Sequence, residues 1–102
     1  MTKTSKRKSR THMLVWRGIT CRVKHTPRYF DYADHVELLV VKPKGAILPI
    51  TETGYRSEFL SAEDLAAAGG AVTFITGLLE REAKTKRWQK RDFESRQLKL
   101  FD

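Results

Sequence analysis

The spacing of apolar residues changes period once along this chain, and that change limits the folds open to it. From Ile19 onward the odd positions Ile19, Cys21 and Val23 are apolar, while Thr20, Arg22 and Lys24 are polar. This is the two-residue period of a half-buried strand, with Arg22 and Lys24 on its solvent face. Far downstream, Ala71, Val72, Ile75, Leu78, Leu79 and Ala83 share one face of a helical wheel, with Phe74 at its margin. Strands first and helices afterwards predict an α+β fold, a small antiparallel sheet with a helix across one face.

The punctuation between these segments fills in the order. A strand is predicted over residues 13–25, a loop over 26–34 with Pro27 as its breaker, and a second strand over 35–42. Pro43-Lys44-Gly45 reads as a turn. A third strand is predicted over 46–50, and Pro49 confines it to an edge. Residues 51–60, which include Gly54, leave room for a fourth. Ser61-Ala62-Glu63-Asp64 fits a capping box, in which the hydroxyl accepts a free backbone N–H and the acid reaches back. It predicts a short helix ending at Gly69-Gly70. A long helix then runs from residue 71 to 95, supported by Glu80/Lys84, Glu82/Lys86 and Lys90/Glu94 four residues apart. Its first half packs on the sheet. Its second half projects, with Trp88 and Phe93 as anchors.

The chain has 102 residues, enough for one domain, and 40% of them are apolar. We predict a disordered basic arm over 1–12, one α+β domain over 13–95, and a flexible docking peptide over 96–102. The arm holds no apolar side chain after Met1 and cannot offset its ordering entropy. Cys21 is the only cysteine, so no internal disulfide forms and no zinc site follows from it. No apolar run approaches the ~20 residues that span a bilayer, and no secretory stretch follows the basic start. A cytoplasmic protein with no membrane partner is expected.

Charge is unevenly spread over the net +8. Residues 1–28 hold nine Lys/Arg and no acid, residues 29–79 sum to −4, and residues 80–102 to +3. Basic ends around a mildly acidic middle suit a polyanion. The candidate phosphate contacts are Lys3, Lys6, Arg7, Lys8 and Arg10 in the arm, and Lys84, Arg87, Lys90 and Arg91 on the long helix. DNA is the expected partner and RNA the alternative; solubility alone would also account for such ends. Tyr29, Phe30 and Tyr32 beside Arg28 either stack on unpaired bases or tuck into the core. Tyr55 and Arg56 either line a groove or form a turn with one buried tyrosine.

The chain ends Gln97-Leu98-Lys99-Leu100-Phe101-Asp102. This segment resembles the Q-L-x-L-F peptides that replication and repair proteins insert into the bacterial replicative sliding clamp. The resemblance implies amide hydrogen bonds from Gln97, a smaller apolar contact from Leu98, and Leu100 and Phe101 as pocket-filling anchors. Each anchor offers roughly 1.5–3 kcal/mol of burial, and a few anchors carry most of a short peptide's affinity. Lys99 stands where such peptides usually have Ser or Asp, which implies some loss of affinity. The alternative is that Leu98, Leu100 and Phe101 fold back on the domain. Residues 48–57, and the chain onward to Trp88, are similar to small proteins of proteobacterial chromosomes and plasmids. That likeness implies a mobile-element setting and no activity.

Catalytic and cofactor chemistry finds no pattern. Cys21, His25, His35, Asp31 and Asp34 carry ligand atoms, but their spacing matches no closed zinc site. Cys21 has no orienting partner or oxyanion element. Glu63 and Asp64 are accounted for by helix capping, and Gly69-Gly70 lacks the Gly-Lys-Ser/Thr of a phosphate loop. We expect no enzyme, no metal and no cofactor.

Overall fold

The computed structural model describes residues 8–29 and 33–100. Four strands, β1 (Arg10–Trp16), β2 (Ile19–Thr26), β3 (Asp34–Lys42) and β4 (Tyr55–Leu60), pair in sequence order as an antiparallel meander. Three helices follow, α1 (Ala62–Ala67), α2 (Ala71–Ala83) and α3 (Lys86–Leu100). The fold is α+β, as the change of period predicts.

The core lies between one face of the sheet and α2. The sheet contributes Trp16, Cys21, Val23, Val36 and Leu38, all buried. Helix α2 answers with Ala71, Ile75, Leu79 and Ala83, a four-residue repeat along one face. Leu65 of α1, Leu48 of the β3–β4 loop and Trp88 of α3 close its margins. The apolar face read from the wheel is the buried one.

The strand expected over residues 13–25 is two strands. Arg17 and Gly18 form a two-residue hairpin turn, both at positive φ (49° and 83°), and Trp16 faces Ile19 across it. Hairpin turns of this hand need positive φ at both central positions, and Arg is not a residue that advertises one. An L residue in that conformation costs about 1–2 kcal/mol. Arg17 offsets it locally: its guanidinium lies 4.6 Å from the Trp16 ring centroid and 3.8 Å from Glu80.

The strand expected over residues 46–50 is a loop with a single bridge, Leu48 to Thr51. Pro49 removes a ladder donor there. Arginine side chains bond the loop carbonyls instead: Arg56 Nη1 donates to Ile50 O (2.9 Å) and Arg91 Nη1 to Leu48 O (3.4 Å). The fourth strand is present as β4. The hydroxyl half of the Ser61 capping box forms, its oxygen accepting from Asp64 N at 3.0 Å.

The long helix expected over residues 71–95 breaks at Lys84-Thr85. Thr85 serves both ends: its hydroxyl donates to Glu82 O (2.7 Å) and accepts from Trp88 N (3.2 Å). It closes α2 and caps α3. No acid or glutamine stands three residues after Thr85, so the capping-box pattern does not flag it. The redirected α3 sets Trp88 edge-on to Trp16, ring centroids 6.4 Å apart and planes at 60°. Among the described side chains of α3, Trp88 is the one that is buried.

Trp88 should therefore carry the attachment of α3. Trp88→Ala is expected to cost about 3–5 kcal/mol, and Phe93→Ala, 61% exposed, to stay within about 0.5 kcal/mol of wild type. Denaturant unfolding of both variants checks this; equal losses would mean that α3 is held elsewhere.

Candidate functional site

Helix α3 carries the candidate contacts Arg87, Lys90 and Arg91, and Lys84 lies at the end of α2 just before it. Its fifteen residues hold six basic and two acidic side chains. The basic residues are not equivalent. Arg87 pairs with Glu82. Arg91 is half-buried, bonded to Leu48 O and lying 5.4 Å from the Trp88 ring centroid. Both line a cleft of about 290 Å³ with Arg56 and the acids Glu52 and Glu82. Arg56 is itself paired with Glu58. Arg56 and Arg91 thus serve the fold, whereas the Arg87 side chain stays 75% exposed beside Glu82. Lys84, Lys86 and Lys90 are exposed and have no ion pair among the described residues.

The N-terminal candidates lie at the other end of the sheet. Lys8 and Arg10 are exposed, and Arg10 opens β1 opposite His25. Trp16, which meets α3, ends that strand, and a strand of seven residues separates its ends by roughly 20 Å. The two basic regions therefore do not merge into one patch. Lys3, Lys6 and Arg7 lie outside the described residues.

The C-terminal segment departs from the extended, flexible peptide expected. Helix α3 continues to Leu100, taking in Gln97 and Leu98. Nothing in residues 96–100 is a helix breaker, and Arg96 pairs with Asp92 one turn back (3.3 Å). Leu98 is 70% exposed, so it does not fold back on the core. Phe101 and the side chain of Leu100 lie outside the described residues. The last turn has no tertiary packing at Gln97 or Leu98, and opening it forfeits only a few hydrogen bonds worth about 0.5–1.5 kcal/mol each.

Among the described residues, no helix covers the sheet face turned away from α2. Cross-strand rows define it. Met13 stands opposite Arg22, Arg22 opposite Leu39, and Leu39 opposite Tyr55. Thr11, Lys24, Glu37 and Ser57 form the next row, and Thr26, His35 and Phe59 the one after. Tyr29, Tyr55 and Phe59 are 41%, 43% and 49% exposed there. His35 stacks on Phe59 (4.4 Å, planes at 6°), tilts against Tyr29 (4.7 Å), and its Nε2 lies 2.6 Å from Ser57 Oγ. Tyr55 hydroxyl donates to Glu37 (2.9 Å). Burial pushes the Tyr55 phenol up, and the Glu37 bond adds to that. Tyr29 and Tyr55 thus lie on the open face, not in the core. Phe30 and Tyr32 lie outside the described residues. The sequence holds the signal for this face in the alternation of Val36/Leu38 with Glu37/Leu39, although apolar residues at most positions of β3 mask it.

The ligand-type residues are dispersed. Cys21 is buried on the α2 side, His35 faces the open side, and His25 Nε2 contacts Asp34 at 2.8 Å. Buried Asp34 also accepts from Arg28 N (2.9 Å), and so clasps the β2–β3 loop. Asp31 lies outside the described residues. No three ligand-type residues cluster among the described residues, and no helix among them is long and apolar enough to cross a membrane.

Comparison with known proteins supplies a family. The family model of the KlcB third domain matches residues 9–88, and the chain belongs to that family. No curated protein and no solved structure matches it. The matched stretch runs from the approach to β1 through Trp88, the whole packed core. Residues 97–101 fall after it.

Burial also raises the Cys21 thiol above its ordinary value. Tyr55 and Cys21 both ionise at lower pH in an unfolded chain than in the fold. Their contribution to stability is full below the unfolded-state values and is lost as pH rises through the folded-state values. Denaturation midpoints should fall on raising the pH through the alkaline range, less steeply for Tyr55→Phe; an unchanged slope would remove the assigned role of the Tyr55–Glu37 bond.

Proposed function

We propose that this KlcB third-domain protein is a non-enzymatic, cytoplasmic accessory factor of DNA metabolism in a plasmid or mobile-element setting. It docks on the bacterial sliding clamp through Gln97, Leu98, Leu100 and Phe101. It contacts the DNA backbone with its basic arm and with Lys84, Lys86 and Lys90. The observation that carries this reading is the presentation of the segment: Leu98 is exposed near the end of a helix whose buried anchor, Trp88, lies ten residues back.

Mechanistically, the domain is a rigid holder with two weak attachments. The clamp encircles DNA, so a ligand that touches both partners gains from effective concentration. Docking as an extended peptide requires the last turn of α3, Gln97 and Leu98 included, to open. Phosphate contacts by lysines are strongly salt-dependent. Arg91, committed to Leu48 O, holds the helix, and exposed Arg87 stays beside the lysines on the phosphate-facing side of this reading. A second reading, an RNA-binding module using Tyr29, Phe30 and Tyr32, draws on the exposure of Tyr29 and leaves the C-terminal segment without a role.

Full-length protein is expected to bind purified sliding clamp with micromolar or tighter affinity, and Leu100→Ala/Phe101→Ala to abolish it. Binding indifferent to the double substitution would end the clamp reading. Lys84→Ala/Lys90→Ala should weaken duplex DNA binding and lower its salt slope by about two, with clamp affinity unchanged.

A further inference from the structure

We propose that the open face of the sheet is a platform for single-stranded DNA, on which Tyr55 and Phe59 stack unpaired bases and Arg22 and Lys24 meet phosphates. The proposal deepens the reading of this chain as a DNA-contacting protein and rests on it.

Tyr55 and Phe59 point to the same side of β4, four residues and therefore roughly 13 Å apart, with Ser57 between them. Both rings are held in place. Tyr55 is fixed through its hydroxyl to Glu37 (2.9 Å), and Phe59 lies flat on His35 (4.4 Å, 6°). A ring fixed by its neighbours loses little entropy when a base stacks on it. Two strands away, roughly 10 Å across the sheet, exposed Arg22 and Lys24 stand side by side on β2. Between the two groups, on β3, lie exposed Leu39 and Val41, and exposed Met13 borders Arg22 on its far side. Aromatic faces flanked by a cationic row suit single strands, because every unpaired base offers a π-face. A duplex keeps its bases stacked internally and offers these rings nothing to stack on.

Charge identifies the occupant. Among the described residues on this face of the four strands, Glu37 is the only acid; it is held by Tyr55 and stands opposite Lys24. Lys8 and Arg10 lie at the head of β1. An anionic partner is attracted. A second copy is opposed by a net +8 on each chain and by burial of Arg22 and Lys24 against their own kind.

The test measures binding of the full chain to a fluorescent oligo(dT), to an oligo(U) of equal length and to a DNA duplex. It uses wild type, Tyr55→Ala/Phe59→Ala, and the charge reversal Arg22→Glu/Lys24→Glu. The charge reversal alters only exposed side chains, so it remains informative if loss of Phe59 disturbs His35. Wild type is expected to prefer oligo(dT) over the duplex. The aromatic pair of substitutions should reduce oligo(dT) affinity by roughly ten- to a hundredfold with little change for the duplex, and the charge reversal should weaken both. Unchanged oligo(dT) binding in both variants overturns the platform, while retained duplex binding keeps the basic-ends reading. Oligo(dT) binding lost in both variants, with no duplex binding in wild type, upholds the platform and removes the basic-ends reading. Tighter binding of oligo(U) than oligo(dT) overturns the assignment to DNA. Self-association in sedimentation that the variants abolish, with oligonucleotide binding untouched, gives the face to a second copy and overturns the proposal.

Discussion

The contact between Trp16 and Trp88 joins parts of the chain that nothing local brings together. Trp16 ends β1 beside a tight turn, and Trp88 lies in the first turn of a helix beyond a break. Their rings meet edge-on, and Trp16 Nε1 donates to Glu80 of α2 (2.8 Å). The indole thus has its apolar body in the core and its polar edge satisfied, as a buried tryptophan requires. Arg17 adds a cation over the same ring and reaches the same glutamate. Hairpin, α2 and α3 share one fastening. Loss of the Trp88 ring would leave α3 with Arg91, the Thr85 cap and the surface pair of Arg87 with Glu82.

Much of the architecture was legible because it follows from periodicity. The apolar stripe of α2, the Ser61 cap and the strand character of β2 and β3 need only the spacing of residue types. The misread elements each depend on a contact from elsewhere. Arg17 takes positive φ because Trp16 and Glu80 support it, and no dipeptide rule for turns contains that information. The segment 46–50 forgoes strand pairing because Arg56 and Arg91 bond its carbonyls. Thr85 divides a stretch of good helix formers because a single hydroxyl satisfies both ends. Among site residues, the sequence marked Arg87 and Arg91 by charge alone and could not see Glu82 or Leu48 O beside them. Tyr55 read as a groove or turn residue and Phe59 carried no mark of its own until four strands set their rows in register.

The placement of charge has a geometric meaning that net charge does not convey. Lys8 and Arg10 lie at one end of β1, and α3 is fastened at the other through Trp16. The domain is therefore better described as an elongated holder with contact surfaces spread along it than as a body with one pocket.

Cys21 lies at the centre of this arrangement, between Leu14 on one neighbouring strand and Val40 on the other, with no surface exposed. Its thiol is kept protonated by burial and is shut away from solvent. Any reagent that modifies it must wait for the sheet to separate from α2, so its reaction with an alkylating probe acts as a clock for opening of the core. Because the chain has one thiol, that clock has a single hand.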